Sequence, residues 1–163
     1  MAKVAMIGAG SVVFCKTLMS DIMATPTLEG TEFALMSRTE PKLRRMEEFG
    51  KRMLRDNGIR GSVWATLDRR EAIRDADFVV VMIQVGGHDA FGIDYHIPLK
   101  YGVDQCIGDT LGPGGIFRGL RHIPVLAAIA KDNGVPDTIR ARAVQVAGSL
   151  GVDASSAFQP QAQ

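Results

Sequence analysis

Residues 4–14 read VAMIGAGSVVF, and the reading of this stretch decides the fold. An apolar run breaks into Gly8-Ala9-Gly10-Ser11 and then resumes apolar, the pattern of a strand turning sharply into a helix. Gly8 permits the tight turn. Gly10 has no side chain to hold an anion away from the amides at the helix N-terminus, where the dipole favours negative charge. The third glycine of a GxGxxG fingerprint is replaced by Val13. Two readings follow: a cradle for a dinucleotide diphosphate, or a turn whose glycines answer only to backbone conformation. Its place ahead of alternating strands and helices favours the cradle.

Outward from this turn, the first strand is Lys3 to Ile7 and its helix runs from Ser11 to about Met23, with Pro26 marking the exit. Thr31 to Met36 forms a second strand. Pro41 opens a charged helix in which Leu43, Met46, Phe49, Met53 and Leu54 recur at helical spacing as core filling, and Gly58 closes it. Ser62 to Leu67 makes a third strand, Asp68 caps a short helix through Arg74, and Phe78 to Ile83 is a fourth strand, apolar enough for burial on both faces. The order predicts an α/β fold, a doubly wound, Rossmann-like, mostly parallel sheet with helices on both faces. Right-handed crossovers bring the loops after strands one and four together, GAGS beside Gln84-Val85-Gly86-Gly87.

Further on, the pattern predicts a helix from Phe91 to Tyr101, a short strand from Asp104 to Ile107, the loop GDTLGPGG, and a helix from Gly115 to Lys131 bent at Pro124. Residues 1–132 read as the dinucleotide-binding domain and 133–163 as a divergent C-terminal segment. In that segment Ile139, Ala141 and Ala143 alternate as in a strand. Pro136, the helical spacing of Ile139, Ala143, Val146 and Leu150, and Gly151 beyond them favour a helix followed by a flexible tail.

Composition excludes several classes. The 163 residues suffice to bury a core, and 19 basic against 18 acidic residues leave a net charge of +1, with no electrostatic footprint for nucleic acid or an anionic membrane. The longest apolar run, Phe78 to Ile83, is far short of a membrane span, and no signal-peptide pattern precedes the first strand. A soluble, cytoplasmic protein is expected. Cys15 and Cys106 lack CxxC spacing and read as small buried hydrophobes.

Several stretches together carry a resemblance: AMIGAGSVVF, the ALM that ends strand two, ATLDRREAIRDADFVVVMIQVGG, and IPLKYGVDQCIGDTLGPGGIFRGLRHIPVL. In this order they resemble the N-terminal NAD-binding part of glycoside hydrolase family 4, nearest its alpha-galactosidase-like members, over about residues 3–131. The resemblance implies an NAD-dependent exception to two-carboxylate glycoside hydrolysis. In that scheme NAD oxidises the sugar at C3, a base removes the acidified C2 proton, the leaving group is eliminated, water adds, and NADH restores the C3 hydroxyl. Manganese serves as Lewis acid, and a small glycoside is the substrate.

By the same resemblance, Gly8, Gly10, Ser11 and Val12 match the diphosphate turn, and Gln84, Val85, Gly86 and Gly87 the loop along the nicotinamide half. Asp109 matches an acidic position facing the sugar, its alternative being a loop acid that caps local amides. Gly114 and Gly115 are expected to allow close backbone approach. Arg118 and Arg121 read as anion-steering groups or solvated helix arginines. His88 and His96 have no partner at ligand spacing, and no residue is assigned to metal.

Two departures stand out. Strand two ends Leu35-Met36-Ser37-Arg38-Thr39, where the family usually carries an aspartate at the position of Ser37 for the adenosine ribose. Its loss removes a group that repels a 2'-phosphate, and Arg38 could pair with one, so NADP is admitted beside NAD. Alternatively Arg38 stacks on adenine or faces solvent. The resemblance also ends near Asp132, before the family's metal ligands and tyrosine base. The expectation is therefore a cofactor half with negligible glycosidase activity alone, and with an uncovered apolar face that favours homo-oligomers. The competing readings are a lactate- or malate-type NAD-dependent dehydrogenase and a non-catalytic NAD(P)-binding module.

Overall fold

The computed structural model describes residues 1–105 and 112–132. These form two compact units: Met1–Ile83 with Lys131 and Asp132, and Gln84–Ala130. The first unit carries β1 (Lys3–Ile7), α1 (Phe14–Met23), a 3-10 turn at Pro26–Leu28, β2 (Glu32–Met36), α2 (Glu40–Asp56), β3 (Ser62–Thr66), α3 (Arg69–Ile73) and β4 (Phe78–Val81). The second carries α4 (Gly87–Lys100) and most of α5 (Gly112–Lys131).

The strands form a parallel sheet in the order β3-β2-β1-β4, so the winding reverses direction between β1 and β4. This is the doubly wound order expected from the sequence, with the glycine turn leaving β1 at the reversal. In the register, Val4, Phe33 and Phe78 lie side by side, as do Met6, Leu35 and Val80. Strand alternation therefore places Val4, Met6, Phe33, Leu35 and Val63 on one face, where Cys15, Met19 and Met23 of α1 and Leu43, Met46 and Leu54 of α2 close the main core. The alternate residues Ala5, Ile7 and Ala34 are also buried, and α3 packs on β1, β2 and β3 with Ala72 and Ile73 fully covered. Coverage of both faces explains why β1 and β2 read as continuous apolar runs.

Spacing in α2 was legible. Leu43, Met46 and Leu54 are buried and Phe49 and Met53 pack partly against the core, but Gly50 also faces inward. A methyl at Gly50 would lie 3.0 Å from Met19 Sδ and from the Val63 methyls, so its absence lets α2 close on α1 and β3. Asp68 caps α3 as expected, its Oδ1 accepting from the Arg70 amide at 2.8 Å. The buried Asp132 carboxylate receives Arg69 Nε at 2.5 Å and Arg70 Nε at 3.4 Å, tying the chain beyond α5 to α3.

Some expectations are corrected. β4 is not buried on both faces: Phe78 is 57% exposed and Val79, Val80 and Val81 are half-buried. Among the described residues β4 is the sheet edge, with a neighbour on one side only. α4 begins at Gly87 rather than Phe91, because Gly86 adopts a left-handed conformation (φ 81°) and serves as its N-cap. α5 begins at Gly112 rather than Gly115. Asp104 and Gln105 are not in a strand, and Cys106 and Ile107 lie outside the described residues. The segment expected as a C-terminal helix and tail, residues 133–163, also lies outside them.

Cys15 is fully buried, and burial pushes its thiol pKa up to about 11. In native protein at about pH 8 the Cys15 thiol should resist alkylation and react fully in urea, as peptide mass mapping will report. Rapid native labelling at Cys15 would contradict this packing. Gly8 offers a sharper test, since it has φ 92° and a methyl there would lie 2.1 Å from the Met82 carbonyl oxygen. Gly8→Ala should cost about 3 kcal/mol or more in denaturant unfolding. Gly58→Ala, at φ 63° with nothing within 4 Å, should cost only about 1–2 kcal/mol.

Candidate coenzyme site

The turn after β1 is anchored to both neighbouring strands. The amides of Gly8 and Ala9 both donate to the Met36 carbonyl at the end of β2, at 2.8 and 2.9 Å. On the other side, the Gly8 position lies against the Met82 carbonyl just past β4. Ser11 then caps the helix: its Oγ accepts from the Phe14 amide at 3.2 Å and its carbonyl from the Cys15 amide at 3.2 Å. Regular α1 geometry begins at Phe14, three residues after the Ser11 of the expectation, yet its first orphan amides are organised from Ser11.

What remains is a small set of unused donors. Among the described residues the amides of Gly10, Val12 and Val13 meet no acceptor. The first turn of α1 carries no acidic side chain. A methyl at Gly10 would sit 3.0 Å from Ser37 Oγ and 3.3 Å from Lys42 Cβ. These positions set the C-terminal end of β2 directly beside the amide cluster. Ser37 is buried and its Oγ accepts from the Thr39 amide at 3.3 Å, whereas Arg38 is exposed. Gly8, Gly10, Ser11, Val12, Ser37 and Arg38, all singled out from the sequence, thus occupy one end of the sheet within one unit. Val13 was not among them, although its amide belongs to the same set.

The second unit holds Gln84, Val85, Gly86 and Gly87 at the entrance to α4. A methyl at Gly86 would stand 2.5 Å from Ala90 Cβ, so the N-cap of α4 admits only glycine. Two side chains of α5 fix this corner. The Val85 amide donates to His122 Nε2 at 3.1 Å, while His122 Nδ1 lies 2.9 Å from the Arg118 carbonyl. That pairing puts the ring proton on Nδ1 and leaves Nε2 as an acceptor. Arg121 forks onto the fully buried Asp94 carboxylate, with Nη1 2.6 Å from Oδ1 and Nη2 bonded to Oδ2. Hydrogen bonding to Asp94, with its charge, holds the Arg121 guanidinium above its ordinary pKa range. Gln105 extends the network, donating to the Asp94 carbonyl at 3.2 Å and accepting from the Gly114 amide at 3.4 Å.

Arg121 is therefore not available to steer an anion: its charge is paired with Asp94. The sequence signal for this pair was Asp94 itself, a lone carboxylate within the apolar run FGIDYHIPL of α4. His122 gave no such signal. Gly114 and Gly115 lie in the first turns of α5. Asp109, the candidate catalytic residue, lies outside the described residues. Among the described residues no group of His, Cys, Asp or Glu side chains is arranged to hold a metal ion, and no helix is long and apolar enough to cross a membrane.

Residues 3–137 match the sequence profile of family 4 glycosyl hydrolase. The chain belongs to glycosyl hydrolase family 4. An alpha-galactosidase of Rhizobium meliloti (strain 1021) is 45% identical over 130 residues, covering 80% of this family 4 chain and 26% of that enzyme. An alpha-galactosidase of Bacillus subtilis (strain 168) is 43% identical over 134 residues, covering 81% and 31%. The structure of the 6-phospho-beta glucosidase from Thermotoga maritima with manganese, NAD+ and glucose-6-phosphate superimposes with a TM-score of 0.69 at 28% identity, over 80% of this chain and 31% of that one. The family 4 chain thus spans 26% to 31% of the length of these relatives. Membership decides against the lactate- or malate-type dehydrogenase.

The pair of buried Asp94 with half-buried Arg121 yields a mutational test. Removing one member leaves the other uncompensated, so Asp94→Ala should lower the thermal transition clearly. Asp104→Ala, at an exposed position, should leave it unchanged. Equal melting curves for the two variants would show that the pair does not hold α4 to α5.

Proposed function

We propose that this chain is the coenzyme-binding part of a family 4 glycosidase that acts on a small glycoside, with an alpha-galactoside as the favoured class. The observation that carries the reading is the set of unpaired amides at Gly10, Val12 and Val13, gathered at the N-terminus of the ten-residue α1 with no acidic side chain in its first turn. Free main-chain donors at a helix N-terminus, backed by the helix dipole, suit a diphosphate. Gly10, Ser11, Val12 and Val13 would hold it, with the Ser11 hydroxyl still able to donate after its oxygen has capped Phe14. Ser37 and Arg38 would meet the adenosine end. Gln84, Val85, Gly86 and Gly87 would serve the nicotinamide half, on the corner that His122 and Arg121 stiffen.

When bound, the nicotinamide supplies reversible hydride transfer, and the protein supplies position and field. The alpha-galactoside assignment rests on the relatives of 45% and 43% identity, which are named alpha-galactosidases. Manganese finds no fitting ligand set among the described residues, so it is given no ligand here. Asp109 stays our candidate for the acid facing the sugar. A cytoplasmic location fits the balanced charge, and self-association fits the exposed Phe78 on the sheet edge.

The test is calorimetric titration of the purified chain with NAD. Binding should saturate at one site per chain, and Gly10→Ala should weaken it at least about tenfold while unfolding as cooperatively as the parent. A folded chain that takes up no coenzyme, or a Gly10→Ala variant with unchanged affinity, would overturn the assignment of this turn.

A further inference from the structure

We propose that the adenosine end of this site selects the 2'-phosphorylated coenzyme, NADP, over NAD, with Ser37 and Arg38 as its specificity-determining residues and Lys42 in support. The inference rests on reading the β1–α1 turn as a dinucleotide site, and it fixes which dinucleotide that site prefers.

The geometry leaves little freedom about which residues meet the ribose. Ile7 and Met36 are register partners, and the Met36 carbonyl receives both the Gly8 and the Ala9 amide at 2.8 and 2.9 Å. Ser37 therefore follows immediately on the group that anchors the diphosphate turn. The Cβ that Gly10 lacks would stand 3.0 Å from Ser37 Oγ and 3.3 Å from Lys42 Cβ. A nucleotide whose diphosphate lies on the Gly10 amide places its adenosine ribose against the chain leaving β2, which is the segment Ser37-Arg38-Thr39.

The chemistry of that segment is cationic and hydroxylic. A carboxylate here would accept hydrogen bonds from both ribose hydroxyls and repel a phosphate. Ser37 instead offers one short hydroxyl, already accepting from the Thr39 amide at 3.3 Å, with its O–H left to donate. Neither Arg38 nor Lys42 forms an ion pair or hydrogen bond among the described residues, and both are exposed. The acids nearby are already engaged: Glu40 in the first turn of α2 pairs with Arg44 at 3.4 Å, and Glu47 bonds Arg44 and Lys51 at 3.0 and 2.7 Å. α2 itself starts from Thr39 without a side-chain cap, so the positive end of a 17-residue helix dipole faces the same neighbourhood. A dianionic phosphate with three acceptor oxygens satisfies these groups, and a neutral hydroxyl leaves them unused.

The experiment is paired calorimetric titration of the full chain with NAD and NADP at low and physiological salt. NADP should bind at least about tenfold more tightly, with an advantage that shrinks as salt screens the added phosphate. Arg38→Ala should cut affinity for NADP more than affinity for NAD, and Ser37→Asp should reverse the preference. NAD binding as tightly as NADP, or a preference that survives Arg38→Ala intact, overturns this inference and leaves the coenzyme site standing. A folded chain that binds neither coenzyme overturns both.

Discussion

One carbonyl organises the sheet end on which this protein depends. Met36 O accepts the amides of Gly8 and Ala9, pulling the β1 exit onto β2, while the bare Cα of Gly8 lets the same turn press against Met82 beside β4. Three strands thus fix a single corner. Because those two amides are consumed internally, the donors left over are the later ones, at Gly10, Val12 and Val13. These donors belong to the main chain, in a turn held by backbone bonds and by the Ser11 hydroxyl. The corner is held by main-chain contacts between strand ends.

The second unit reaches rigidity by other means. Its corner at Val85 and Gly86 is held by α5 side chains, one neutral ring accepting an amide and one guanidinium spent on a buried carboxylate. A buried ion pair is costly to dehydrate and costly to break, so it specifies how α4 and α5 dock more than it adds to stability. Arg121 Nε is buried without an acceptor among the described residues.

The sheet was legible because its signal is local. Continuous apolar runs at β1 and β2 announce strands covered on both faces, and the spacing of Leu43, Met46 and Leu54 announces the face of α2. Burial at β4 misled, because hydrophobicity records what a strand can tolerate and not how many neighbours it has. The Gly8–Gly10 turn was found by its glycines, yet which amides stay unpaired depends on Met36, whose contribution comes from a main-chain carbonyl with no residue signature. Asp94 with Arg121 joins residues 27 apart in sequence, and His122 with Val85 residues 37 apart, pairings that no helical or strand period encodes.

The two glycines of the opening turn carry different information. Gly8 is demanded by the protein's own backbone, whatever the cleft contains, since no side chain fits against Met82. Gly10 instead faces side chains, a Cβ there lying 3.0 Å from Ser37 Oγ and 3.3 Å from Lys42 Cβ. A descendant with another task at this sheet end would still be compelled to keep the first. Among distant members of this architecture, then, the first glycine of the pair testifies to the sheet.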